Sequence, residues 1–135
     1  MDRAALVRLL LDTHIIVWAA GDSGRLDKRT ANLLADPRND VWFSSVSAWE
    51  LALLAERGRL TLLPDAERWL ESAVSGLGLQ EAPLTSAIAL DSLRLTISTK
   101  DPADRFIAAT ARAFDCTLVT ADAALRRIPG QRVVF

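Results

Sequence analysis

Short apolar runs alternate along the chain with longer segments in which apolar residues recur three or four positions apart. Uninterrupted runs of this length predict strands that are buried on both faces of a parallel sheet. The first run, Leu6 to Leu11, is broken only by Arg8 and stops at Asp12. Further strands are predicted over residues 41–45, 117–120 and 133–135, and a weaker one over 77–84.

The segments between these strands have helical periodicity. Thr13 is predicted to cap the first helix and Ser47 to open the third, because Ser and Thr are favoured at helix N-caps. The predicted helices cover residues 13–21, 27–35, 47–58, 64–78, 85–93 and 102–114. Strands that alternate with helices in this way predict an α/β protein, a three-layer α/β/α sandwich with a mostly parallel central sheet.

Length and composition predict one ordinary folded domain over residues 1–135. Of these 135 residues, 50% are hydrophobic and 24% charged, unlike a disordered chain. Arg8, Asp12 and His14 interrupt the apolar N-terminal stretch, so neither a signal peptide nor a membrane span is expected. The single cysteine, Cys116, excludes a disulfide scaffold and is expected to be a buried, inert thiol in a reducing, cytoplasmic compartment.

The formal net charge of −1 supplies no overall attraction to nucleic acid. Any binding of RNA would therefore depend on local basic groups or on bound cations. The basic residues that could face RNA, and that are otherwise ordinary solvated surface, are Arg25, Lys28, Arg29, Arg57, Arg59, Lys100, Arg126 and Arg127.

Four acidic residues stand at the ends of strands or the starts of helices. Asp12 and Asp122 each follow a predicted buried strand, and Glu50 and Asp104 fall in the first turns of predicted helices. The crevice beyond the carboxyl ends of parallel strands is the usual ligand site in such sheets, and residues at these positions point into it. We therefore expect the four carboxylates to converge there.

Each acid also has a purely structural explanation. Ser47 to Glu50 has the pattern of a capping box, and Asp101 to Asp104 that of an N-cap, a first-turn proline and an acid favoured by the helix dipole. Asp12 and Asp122 are plausible caps of the segments that follow them. Taken together, however, four carboxylates at one sheet edge would repel by about 3 kcal/mol per pair at ~5 Å and an effective dielectric constant of 20.

Such repulsion requires that some carboxyl groups stay protonated or that a divalent cation sits among them. Hard oxygen ligands favour Mg²⁺ or Mn²⁺. A zinc site is not expected, because His14 is the single histidine and no cysteine pair is present. His14 is instead expected to pack or hydrogen-bond on the first helix.

The order of these motifs resembles a known family. Leu9 to His14 (LLLDTH), Ser47 to Leu51 (SAWEL), Asp101 to Arg105 (DPADR) and Leu118 to Asp122 (LVTAD) are similar, in order and spacing across essentially the whole chain, to the motifs of VapC-type PIN-domain toxins. The chain departs from many of these relatives at Thr99-Lys100, where they have His-Arg. The resemblance implies a PIN fold, an Mg²⁺- or Mn²⁺-dependent endoribonuclease, a cognate antitoxin and a homodimer.

Carried onto this sequence, the resemblance implies that Asp12, Glu50 and Asp104 are the core acids and Asp122 the more variable fourth. A metal held by these carboxylates would activate a water for in-line attack on the scissile phosphate, so no side-chain nucleophile is required. Three neighbouring residues are predicted to belong to the substrate site. Thr13 and Thr120 would support ligands or waters, or act as simple caps. Arg105 would contact an RNA phosphate or pair with an acid.

The sequence also allows other functions. A haloacid-dehalogenase phosphatase also begins with a strand that ends in Asp, but it needs an acid two residues later, where this chain has His14. A catalytically inactive PIN module that binds RNA or protein is the main alternative. The tryptophans favour a core or an interface over base stacking, since Trp18, Trp49 and Trp69 occupy apolar helix positions and Trp42 a strand. A groove beside these helices would suit an amphipathic antitoxin helix.

Overall fold

The computed structural model describes residues 7–135 and has the predicted alternation of strands and helices. The strands are β1 (Arg8–Leu11), β2 (Asp40–Ser44), β3 (Leu79–Ala82), β4 (Thr117–Val119) and β5 (Val133–Val134). The helices are α1 (Thr13–Gly21), α2 (Lys28–Ala35), α3 (Ser45–Glu56), α4 (Ala66–Leu77), α5 (Ser86–Asp91) and α6 (Pro102–Ala113). Most predicted bounds lie within two residues of these, and the predicted start of the first strand, Leu6, falls outside the described residues.

All strand pairs in the sheet are parallel, in the order β3-β2-β1-β4-β5. Strand β1 is central, with Leu9 opposite Val41 of β2 on one side and Thr117 of β4 on the other. This order brings the carboxyl ends of β1 and β4, and thus Asp12 and Asp122, to neighbouring positions at one edge of the sheet.

The two faces of β1 pack into separate apolar clusters. Leu9 and Leu11 lie in a cluster with residues of α1, α2 and α4, and Leu10 lies in a cluster with residues of α5 and α6. The three leucines are fully buried, and burial of each such side chain contributes about 2 kcal/mol of transfer free energy. Helices therefore cover both faces of a parallel sheet, which confirms the predicted three-layer α/β/α fold.

The predicted N-caps of two helices are wrong. Asp12, not Thr13, caps α1, and its Oδ1 accepts a 2.8 Å hydrogen bond from the backbone N–H of Thr13. Ser44, not Ser47, caps α3, since the hydroxyl of Ser44 accepts a hydrogen bond from the backbone N–H of Val46. Helix α3 thus starts earlier than predicted, and Glu50 lies in its second turn, outside any capping box.

Within residues 7–135, no helix has the length and apolar content needed to cross a membrane.

Candidate active site

The structure brings the four predicted acids to a single cleft at the carboxyl edge of the sheet. This cleft has a volume of about 280 Å³. Its lining also includes a fifth acid and two aromatic side chains, and the full set is Asp12, His14, Ile15, Trp18, Glu50, Asp101, Asp104, Ala121 and Asp122. The predicted convergence is therefore observed, while the chemical role of these acids stays a proposal.

Asp12 is the most buried of the acids, with 8% of its surface exposed. Its Oδ2 accepts a 2.7 Å hydrogen bond from the hydroxyl of Thr120, which follows β4, and its Oδ1 caps α1. Burial raises the pKa of Asp12, whereas the hydrogen bonds from Thr120 and Thr13 oppose that rise. Helix capping and a place in the cleft are thus compatible for one carboxylate.

Glu50 is held from the neighbouring helix. The Thr13 hydroxyl donates to Oε1 of Glu50 and lies 2.9 Å from the hydroxyl of Ser47, so a chain of side chains links α1 to α3. Burial raises the pKa of Glu50, and the nearby carboxylates of Asp12 and Asp101 raise it further. The contact of Ser47 with Thr13 was not predicted, because the sequence pattern placed Ser47 at a helix cap and did not indicate that it faces α1.

Asp104 has the most perturbed carboxyl group of the four. Burial raises its pKa to about 7, and the negative charges of Asp101, Asp12, Asp122 and Glu50 contribute. Its neighbour Asp101 caps α6 as expected, since its Oδ1 accepts a 3.0 Å hydrogen bond from the N–H of Ala103, and it also lines the cleft. Close negative charges without a counter-ion are characteristic of functional sites.

Asp122 is exposed, unlike the other three. Its backbone N–H donates to the Thr120 hydroxyl at 3.0 Å, and its Oδ1 accepts a 3.0 Å hydrogen bond from the N–H of Leu125. Thr120 therefore connects Asp12 to Asp122 across the end of the sheet. Thr13 and Thr120 are themselves fully buried, so their hydroxyls act on carboxylates in the cleft and neither is placed to contact RNA directly.

Arg105, assigned from the sequence to an RNA phosphate or to an acid, contacts backbone carbonyl groups in the structure. Its guanidinium donates to the backbone carbonyl oxygens of Ser92, Leu95 and Thr99, at 3.2, 3.0 and 3.3 Å. These bonds hold the segment that precedes α6 against that helix. No acidic side chain within residues 7–135 pairs with Arg105, and its contact with an RNA phosphate stays a prediction.

The aromatic residues and the cysteine lie in different surroundings. Trp18 lines the cleft, and His14 lies beside it on α1, with ring centroids 6.4 Å apart. Trp49 is 59% exposed, so of the two predicted places, core or interface, it does not occupy the core. Trp42 stacks on Phe114 in a half-buried position. Cys116 is buried, and burial raises the pKa of its thiol to about 11, as expected of an inert cysteine.

The donor chemistry of the cleft fits a hard divalent cation. Within the described residues, no three Asp, Glu, His or Cys side chains form a ready-made set of metal ligands. Mg²⁺ does not require one, since it is commonly held by one or two carboxylates and keeps several waters. The carboxylates of Asp12 and Asp104 line the same cleft and have raised pKa values, so a cation bound there would stabilise their ionised forms.

Comparison with known proteins gives the same class. The PIN domain family matches residues 9–131. Ribonuclease VapC22 of Mycobacterium tuberculosis (strain ATCC 25618 / H37Rv) is 32% identical over 124 residues, which are 90% of this chain and 92% of the relative. The chain therefore belongs to the PIN-domain family, and among PIN domains it is a homologue of the VapC ribonucleases.

Solved structures share the fold. VapBC2 from Rickettsia felis, bound to a DNA fragment from its promoter, superposes with a TM-score of 0.71 at 22% identity, over 94% of this chain and 97% of that one. FitAcB from Neisseria gonorrhoeae superposes with a TM-score of 0.57 at 21% identity, over 94% and 96%. The resemblance inferred from the sequence motifs is confirmed at the level of family and fold.

Proposed function

We propose that the protein is an Mg²⁺- or Mn²⁺-dependent endoribonuclease that acts as the toxin of a type II toxin–antitoxin pair. The observation that carries the proposal is the set of carboxylates from four separate segments of the chain that line one cleft. Membership of the VapC class supports RNA as the substrate, since the relative is a ribonuclease. An inactive PIN module would not need to maintain so many mutually repelling acids.

In this proposal Asp12 and Asp104 are the direct metal ligands. The hydrogen bonds from Thr120 and Thr13 hold the Asp12 carboxylate in one orientation, which limits the entropy lost when it binds an ion. A bound divalent cation would supply a water of lowered pKa and positive charge beside the scissile phosphate. Glu50, held by the Thr13 hydroxyl, and Asp122 are the groups that orient this water or accept its proton.

We further propose that residues 1–135 form a single domain that works in the cytoplasm, binds a cognate antitoxin protein and forms a homodimer. VapBC2 and FitAcB, whose structures share this fold, support an antitoxin partner. The exposed Trp49 beside an apolar pocket lined by Val46, Leu84 and Phe106 supports a protein interface on α3 and α6.

The proposal is tested by incubating purified, antitoxin-free protein with total cellular RNA in Mg²⁺ or Mn²⁺. The variants are Asp104→Asn, which removes one carboxylate from the cleft, and Asp115→Asn, a matched control. Asp115 is exposed after α6, and Asn tolerates its positive φ of 51°. Discrete fragments from the wild type and Asp115→Asn, lost with EDTA and in Asp104→Asn, are the expected result.

If wild type and Asp104→Asn leave every RNA equally intact in both metals, the catalytic proposal is overturned. RNA bound but uncut would then assign the protein to the inactive binding modules. Fragments that persist in EDTA would instead show that the cleavage does not depend on a divalent cation.

A further inference from the structure

The acidic side chains of the cleft would repel an RNA strand. RNA is a polyanion, and Asp12, Glu50, Asp101, Asp104 and Asp122 all present negative charge to it. A divalent cation neutralises only part of this charge, and a cationic side chain beside the cleft would add to the attraction for the strand. The sequence candidate for this task, Arg105, has its guanidinium bound to backbone carbonyl groups.

Arg25 lies beside the cleft through its contact with Trp18, one of the residues that line it. Its guanidinium carbon lies 4.7 Å from the ring centroid of Trp18, the indole that lines the acidic cleft. Stacking on an indole uses the flat face of the guanidinium and leaves its N–H groups, which lie in the plane, directed outward. Within residues 7–135, Arg25 forms no ion pair with any acidic side chain.

The backbone fixes this pairing. The N–H of Asp22 donates to the carbonyl of Trp18 at 2.8 Å where α1 ends, and the N–H of Arg25 donates to the carbonyl of Asp22 at 3.0 Å. The short 3-10 turn Ser23–Arg25 thereby folds the chain back over the indole. Phe135 contacts the same ring, with centroids 5.7 Å apart, so the indole is supported from the C-terminal strand.

We propose that Trp18 and Arg25 form a preorganised phosphate clamp, in which the stacked guanidinium binds a phosphate of the RNA strand next to the scissile one. The inference rests on the proposed function, because it assigns a substrate contact to that same cleft. A planar guanidinium suits this task, since its N–H groups can bind two phosphate oxygens at once. Arg25 is a positioning residue: it holds the strand and takes no part in bond cleavage.

Binding is measured first, by fluorescence anisotropy of a labelled single-stranded RNA oligonucleotide in Mg²⁺. The protein carries Asp104→Asn to prevent cleavage, and to it Arg25→Gln is added. Arg68→Gln is the matched control, because Arg68 is an exposed arginine in the first turn of α4, outside the lining of the cleft, and its loss changes the net charge identically. Loss of one charge-assisted contact is expected to raise Kd about tenfold.

The salt dependence separates a phosphate contact from a structural effect. In Arg25→Gln, the slope of log Kd against log salt should fall by about 0.7, the value for one phosphate of a single strand. Arg25→Lys should recover part of the affinity, since it keeps the charge without the planar fork. Trp18→Leu, with folding checked by circular dichroism, should weaken binding because the guanidinium loses its platform.

Kinetics then distinguish this inference from the proposed function. In otherwise wild-type protein, Arg25→Gln should raise KM and leave kcat nearly unchanged. Cleavage with equal Kd and KM in Arg25→Gln and Arg68→Gln would overturn the clamp and leave the proposed nuclease activity unaffected. If RNA is bound through Arg25 but never cut, the clamp stands and the proposed nuclease activity is overturned. If RNA is not bound at all, the clamp is overturned.

Discussion

Asp12 shows at the scale of one residue how structural and chemical roles combine. One oxygen caps α1, and the other accepts the hydroxyl of Thr120, so the carboxylate is held in a single orientation although it is buried. The sequence predicted a cap and a site acid as competing readings of such residues. In the structure Asp12 has both roles, because it lies between the end of β1 and the start of α1, and the cleft is formed at this edge of the sheet.

This arrangement makes Thr120 a positioning residue with a measurable effect. Thr120→Val keeps the volume of the side chain but removes the donor to Asp12 and the acceptor for the Asp122 N–H. We expect metal-dependent RNA cleavage to fall by about 10- to 100-fold, as for other groups that orient metal ligands. Initial rates titrated with Mn²⁺ measure the change.

Thr110→Val is the matched control, because Thr110 is equally buried and donates its hydroxyl to Phe106 within α6, away from the cleft. It should leave the apparent metal affinity unchanged. Equal loss of activity in both variants would mean that buried threonines matter only for folding.

At the scale of elements, the bounds of helices and strands were predictable, but the N-caps of α1 and α3 were not. Periodicity places α3 within two residues, but both Ser44 and Ser47 are good N-cap residues, and only the backbone path decides which hydroxyl reaches a free N–H. Ser47 is instead buried against Thr13. Arg105 is a similar case, since an arginine beside an acid motif does not reveal which carbonyl groups surround it.

The segment before α6 is expected to depend on Arg105 for its order. Arg105→Lys keeps the charge, but one ammonium group cannot replace a fork that reaches Ser92, Leu95 and Thr99. We expect the free energy of unfolding to fall by about 1–2 kcal/mol. Urea denaturation measures this, and faster amide exchange over residues 95–100 should accompany it.

Arg112→Lys on the same helix serves as the comparison. Arg112 is 62% exposed and reaches Asp91 only at 3.9 Å, so its replacement should change stability by no more than about 0.5 kcal/mol. Equal midpoints for the two variants would show that the carbonyl contacts of Arg105 contribute nothing to stability.

At the scale of the whole molecule, gathering the acids in one cleft lowers the stability of the folded protein. The pKa of Asp104 is raised to about 7 in the folded protein, and those of Asp12 and Glu50 are raised as well. At pH values between the carboxyl pKa in the unfolded chain, near 4, and the raised pKa in the folded protein, the folded state holds protons that the unfolded state has released. Stability of the metal-free protein must therefore fall as pH rises through this window.

We expect the free energy of unfolding in EDTA to be lower at pH 8 than at pH 5 by roughly 1–2 kcal/mol, a figure reduced for solvent screening of the half-buried Asp104. In Asp104→Asn this difference should shrink. Excess Mg²⁺ or Mn²⁺ should reverse the loss at pH 8, because an ion that binds only the folded state stabilises it. Urea midpoints at both pH values test this, and equal stability at pH 5 and pH 8 would contradict it.

The sequence by itself determined the α/β alternation, the parallel sheet and the placement of acids at strand ends and near helix starts. These are local properties, set by the uninterrupted apolar runs of the strands, by the 3.6-residue period of the helices and by which residue follows each run. The four motifs therefore sufficed to identify the family.

Only the tertiary structure decided which side chains support the acids. Thr120 reaches Asp12 across 108 positions of sequence and Thr13 reaches Glu50 across 37, and both contacts exist because the strand order places β2 and β4 on either side of β1. The stacking of Arg25 on Trp18 likewise depends on the turn that ends α1. Hydrogen bonds and stacking require ångström-scale geometry, which composition and spacing do not contain.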